Sequence, residues 1–256
     1  MPNNIINKVK FATDRSNYEK IMNFIKTDQI GSFDFNKVIP MPEELNIECG
    51  SVTDRCIEIA LTAINPITPD YGVQKEEQCY FDEIVKKLNY EKAFACYRTL
   101  LGRNEIDAAL NLIDKEPKEA IDIGQTAIKN MEQYGASTWY DWRILNWGTK
   151  WNAYNSELRE DNTIEFQSAW NAPTPVIRKL SLIFKRALIT HEWADEDIGS
   201  NCGKMVYYGG EILEEYYPET HKEAIEFATG IWHDTPEDYG YHLNEDESDY
   251  VYIEDI

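Results

Sequence analysis

Two runs rich in strand-forming residues, TKWNAYNSEL (149–158) and TIEFQSAW (163–170), flank the polar tetrapeptide REDN, and this pattern predicts a β-hairpin. Thr174-Pro175 then opens an amphipathic run, VIRKLSLIFKRAL, with proline placed where a first helical turn tolerates it. ITHEWAD and KMVYYGGEIL follow as two strands, and PETHKEAIEFATGIW as a last helix. Near the N-terminus, NNIINKVKFA reads as a strand. After it, DRSNYEKIMNFIK reads as a helix with Tyr18, Ile21, Met22 and Ile25 on one face and Asp14 or Ser16 as its cap. The order strand, helix, strand, strand, helix, strand is the ferredoxin-like βαββαβ arrangement, here with an extra strand, and makes the fold class α+β.

The segment between the first helix and the hairpin has a different texture. In GSFDFNKVIPMPEEL, Pro40 and Pro42 predict an extended connector. Residues 54–65, 75–101, 104–114 and 117–134 carry helical apolar spacing, such as Ile57, Ala60, Leu61, Ile64. The expected organisation is therefore a ferredoxin-like core from residues 1–30 and 147–232, a large helical insertion over 31–146, and an acidic C-terminal tail over 233–256. A helical N-terminal domain joined to a separate C-terminal sheet domain is the alternative that periodicity leaves open.

Charge restricts the function classes. The 256 residues hold 46 acidic and 25 basic side chains, a net −21, and hydrophobic residues at 43% still suffice for a core. A polyanion would be repelled, so direct nucleic-acid binding is not expected. The charge is also segregated: His191 to Ile256 holds 19 Asp and Glu against Lys204 and Lys222 alone, a net −17. The N-terminus shows no export signal and no long apolar stretch occurs, which predicts a cytoplasmic protein without membrane contact. Cys49, Cys56, Cys79, Cys96 and Cys202 form no metal or disulfide pattern and are expected to be reduced packing residues.

The opening MPNNIINKV, the segment FDFNKVIPMPEEL and the stretch WYDWRILNWGTKWNAY together resemble the YubB-like family of phage and plasmid proteins with a ferredoxin-like domain. The resemblance is best over residues 1–47 and about 135–195. It implies the same ferredoxin-like core and a setting on mobile elements, whose small accessory proteins often counter host defences. It brings no activity and no catalytic residues.

Two candidate surfaces emerge. The first is the acidic end, where Asp234, Glu237, Asp238, Glu245, Asp246, Glu247, Asp249, Glu254 and Asp255 are interleaved with Tyr250 and Tyr252. Carboxylates with aromatic anchors suit a basic protein partner, and the bland reading is a solvated terminus. The second is Trp139, Trp142, Arg143, Trp147 and Trp151, which could stack a nucleotide or another small ligand, in a binding protein or an enzyme, or else be core rings with bonded indole N–H groups. His191, His221, His233 and His242 stand in no nucleophile frame. The loop Asp195–Asn201 misplaces the glycine of a calcium loop and puts Val206 where a bidentate Glu belongs, so no metal or other cofactor is expected. The expected function is that of a non-enzymatic phage or plasmid protein that binds a basic host protein, such as a defence factor, and covers its nucleic-acid-binding surface.

Overall fold

The computed structural model describes residues 2–64, 114–159 and 161–253. The helices expected over 75–101 and 104–114 lie outside these residues, apart from Asp114. Internal contacts divide the chain into two compact units, Met1–Pro40 with Arg143–Ile256, and Met41–Trp142.

The first unit is built on a six-stranded sheet. Its strands are β1 (Asn4–Ala12), β2 (Tyr154–Leu158), β3 (Thr163–Ala169), β4 (Leu188–Asp195), β5 (Gly203–Tyr208) and β6 (Glu211–Tyr216). Their order is β2-β3-β1-β4-β5-β6, and every neighbouring pair is antiparallel. The first four strands form the ferredoxin-like core, and β5 and β6 extend it beside β4. KMVYYGGEIL is therefore a hairpin instead of the single expected strand. Gly209 and Gly210, at φ 60° and 89°, make its two-residue turn, a conformation glycine adopts without Cβ strain.

Helices α1 (Arg15–Ile25) and α6 (Thr174–Ile183) belong to the repeated βα units. Asp14 caps α1 by accepting the Asn17 N–H, as its short polar side chain predicts. Ile5, Val9 and Phe11 of β1 alternate onto one face with Ile164 and Phe166 of β3 and Ile189 of β4, all buried. The proline-rich connector is more regular than expected: α2 (Phe35–Val38) forms before Pro40, and Glu43–Leu45 makes a 3₁₀ turn after Pro42. Asp34 caps α2, and Phe35 drives it by burying its ring against Phe33, Phe166 and Trp147.

The opposite sheet face carries α7 (His221–Trp232), whose Ile225, Ala228 and Ile231 pack with Ile6, Ala194, Ile198 and Cys202. The capping box between Thr220 and Glu223 starts this helix. After it, Pro236–Tyr239 form a 3₁₀ turn, and β7 (Tyr241–Leu243) pairs with β8 (Tyr250–Tyr252). Residues 236–253 thus carry their own secondary structure.

In the second unit, α3 (Ser51–Ile64) packs on α4 (Pro117–Tyr134) through Cys56, Ile59 and Ala120. Gly124 permits the close crossing, since a Cβ there would run into the Cys56 carbonyl and lie 2.6 Å from the Ala60 methyl. Asn130 of α4 donates to the Glu44 carbonyl at 2.7 Å and to that of Ser137 at 3.2 Å. Helix α5 (Trp139–Trp147) contains the boundary between the two units.

Candidate functional site

The C-terminal acidic residues form a surface on the first unit. Helix α7 leads into it: Tyr250, Tyr241 and Tyr239 pack at the edge of the α7 core. His221 Nδ1 lies 2.9 Å from Asp249 Oδ1, and the Lys222 ammonium donates to the Glu247 carbonyl at 2.8 Å. The Tyr250 hydroxyl meets Glu226 at 3.4 Å, and the Tyr241 and Tyr252 rings make an edge contact at 5.8 Å. These links hold the β7–β8 hairpin against the helix.

The expected contact residues divide by chemistry. Asp238 accepts from the Thr235 N–H and hydroxyl, and these bonds hold its carboxyl below the usual range. Asp246 is lowered in the same way by Ser248, and Asp249 first of all by His221. Asp234 accepts from the Tyr239 hydroxyl at 2.8 Å. Asp234, Asp238 and Asp246 bond within their own turns, and Asp249 ties the hairpin to α7. Glu237, Glu245 and Glu247 are exposed, and their carboxylates have no partner among the described residues. Glu254 and Asp255 lie outside the described residues.

Exposed apolar groups stand among these charges: Leu243 at 41%, Val251 at 44% and Tyr252 at 63% exposure. The outer strand β6 adds Glu214 and Tyr216 on the α7 face, and the Tyr216 ring packs against Phe227 of α7. Sequence reading concentrated on the last 23 residues and missed this strand, although its EILEEYY pattern carries the same mixture of carboxylates and aromatics.

Beneath α7, the sheet is crossed by a row of alternating charge. Glu165 of β3 faces Lys8 of β1, which faces Glu192 of β4, which faces Lys204 of β5, and Lys204 reaches Glu214 of β6 at 3.0 Å. Glu165 is buried and held at 2.7 Å by both Arg159 and His233. Burial works to raise its carboxyl, but these two bonds outweigh burial and hold it below the usual carboxylate range. Lys8 is lowered, burial exceeding the attraction of Glu165 and Glu192.

The tryptophans of the tract differ in burial. Trp147 is fully buried, donates from Nε1 to the Ile39 carbonyl at 2.9 Å, and lies under the Arg143 guanidinium at 4.9 Å. Trp142 is also buried and Trp139 half-buried. Trp151 is 37% exposed, with the Lys150 ammonium over its ring at 5.3 Å and over Trp170 at 4.9 Å. Burial lowers the Arg143 guanidinium. Among the described residues no three His, Cys, Asp or Glu side chains gather to hold a metal, and no helix is long and apolar enough to cross a membrane.

The strand order and the paired βα units define the class of the first unit: a ferredoxin-like domain in an α+β chain. The family comparison points the same way, since residues 146–235 match the model of the ferredoxin-like domain in Api92-like protein. No curated protein matches the sequence. A crystal structure of protein api92 from Yersinia pseudotuberculosis is similar at 12% identity and a TM-score of 0.37, over 86% of this chain and 99% of that one.

Proposed function

We propose that this is a non-enzymatic interaction protein whose acidic face covers a basic, nucleic-acid-binding surface of a partner. The carrying observation is the exposure of Glu237 on the 3₁₀ turn and of Glu245 and Glu247 on the β7–β8 hairpin, where Val251 and Tyr252 are exposed as well and which docks on α7. Charge draws a basic surface in, and apolar side chains among the carboxylates supply the area that a lasting contact needs. The mobile-element setting implied by the YubB-like resemblance makes a host protein, such as a defence factor that binds nucleic acid in the bacterial cytoplasm, the natural target.

The test is affinity capture from a bacterial lysate with the wild type and with a Glu237→Lys/Glu245→Lys/Glu247→Lys variant, followed by DNA competition on the captured protein. The proposal expects a basic partner that only the wild type retains and that DNA displaces. A partner retained equally by the variant, or indifferent to DNA, refutes it.

A further inference from the structure

A second surface of the first unit has the opposite character. Between Glu165 and Glu192 the sequence contains no acidic residue, yet it carries Arg178, Lys179, Lys185 and Arg186, a local +4 in a chain of −21. None of these four makes an ion pair among the described residues. Such isolation is notable where carboxylates outnumber cations almost two to one, and it leaves the positive charge available to a ligand.

Arg178 and Lys179 lie on α6, where it meets the β5–β6 turn, and there they line a groove of about 490 Å³. Ile39, Pro175, Leu182 and Ile212 supply its apolar lining, and Glu211 also borders it. The Arg178 Nε donates to the Gly210 carbonyl at 2.9 Å, which fixes the guanidinium beside the turn while its other donors find no acceptor among the described residues. Gly210, at φ 89°, brings the turn against Leu182: a Cβ there would lie 3.0 Å from Cδ1. The groove is thus held by backbone geometry, and its volume falls within the range of small-ligand sites.

We propose that this groove binds an anionic amphiphile, an apolar chain ended by a carboxylate or phosphate. The chain would lie along Leu182, Ile212, Pro175 and Ile39, and the head would take the free donors of Arg178 and the Lys179 ammonium. Glu211 opposes the head. This assignment stands apart from the acidic face.

Isothermal titration of the full-length protein with decanoate and with decyl phosphate, each below its micelle-forming concentration, tests it. The expected result is saturable one-site binding of both, weakened about ten-fold by Lys179→Gln and strengthened by Glu211→Gln. Arg178→Gln should weaken binding as well, but it also removes the Gly210 bond, so the surface variant Lys179→Gln with an unchanged melting temperature is the decisive one. Decanol binding as tightly as decanoate, an absence of saturable binding, or indifference to Lys179→Gln overturns the assignment. Adsorption to phosphatidylglycerol vesicles without binding of the free amphiphiles also overturns it in favour of a membrane surface. A polyglutamate peptide that binds as tightly as decanoate does so in favour of an acidic protein partner.

Discussion

His233 Nε2 sits 2.7 Å from Glu165 Oε2, joining the C-terminal cap of α7 to β3 across 68 residues of sequence. Arg159 holds the other carboxylate oxygen, so one buried acid anchors both a helix end and the β2–β3 hairpin. Helix α7 supports the acidic surface, and this tie therefore underlies the geometry of the interaction face.

Replacing Glu165 by Gln should cost about 1–2 kcal/mol, the lower part of the range for charged hydrogen bonds because His233 and Arg159 are largely exposed to screening. Because the folded carboxyl is depressed, the contribution is present above the unfolded carboxylate value and lost as pH falls through the folded one. Urea melts of wild type and Glu165→Gln should converge at low pH. A constant gap across the acid range contradicts the pairing.

His191 produces a second pH dependence, centred higher. It is fully buried on β4, its Nε2 lies 3.0 Å from Asn7 Oδ1, and Asn7 in turn donates to Ser168 Oγ and the Ile5 carbonyl. That network uses Asn7 Oδ1 as the acceptor, so Nε2 carries the hydrogen and Nδ1 is left without a partner. Burial pushes the imidazole down to about 3 from 6.5. The unfolded chain binds the proton first, so stability is full above the unfolded value and falls as pH drops from 6.5 toward 3. By about pH 5 the loss relative to the high-pH plateau should reach roughly 2 kcal/mol. His191→Gln keeps a donor for Asn7 and removes the titration. If its stability still falls with the wild-type slope, the pH dependence has another origin.

The tryptophans should separate sharply. Trp147→Ala removes a fully buried ring and leaves the Ile39 carbonyl without its donor, a loss of about 3–5 kcal/mol. Trp151→Ala removes a part-exposed ring that edges against Tyr154 and should cost less, about 1 kcal/mol. Chemical denaturation of both variants checks this, and equal losses would contradict the burial pattern.

Thr220 tests the base of the acidic face. Its hydroxyl accepts the Glu223 N–H at 3.2 Å, and the Glu223 carboxylate accepts the Thr220 N–H in return. Thr220→Ala should cost about 1 kcal/mol. Amide exchange should quicken in α7 and in the β7–β8 hairpin it supports, while β1 and β3 keep their protection. Uniform acceleration over the whole sheet would show that the cap acts on global stability alone.

What the sequence reveals depends on how local the cause is. The REDN hairpin, the Asp14 cap and the Thr174-Pro175 helix start rest on neighbours within a few positions, and each is readable directly. Helix α2 escapes such reading because Pro40 and Pro42 dominate the local signal, whereas the helix is held by Phe35 burying its ring among Phe33, Phe166 and Trp147. Gly209-Gly210 marks a bend, but whether the chain reverses there depends on β6 finding a place beside β5. Periodicity does not show the exposure of Trp151 or the Glu165–His233 tie. The candidate surface is legible as a charge imbalance, and its extension onto β6 is not, because a long-range contact, Tyr216 with Phe227, brings that strand beside α7.

The central claim is that the acidic face binds a basic partner, and the affinity of a purified captured partner across ionic strength tests it most directly. The wild type should weaken about ten-fold or more between about 50 mM and 300 mM salt, while the Glu237→Lys/Glu245→Lys/Glu247→Lys variant should bind weakly at both and vary little. Equal affinities for wild type and variant at low salt, with no salt dependence in either, would contradict the claim.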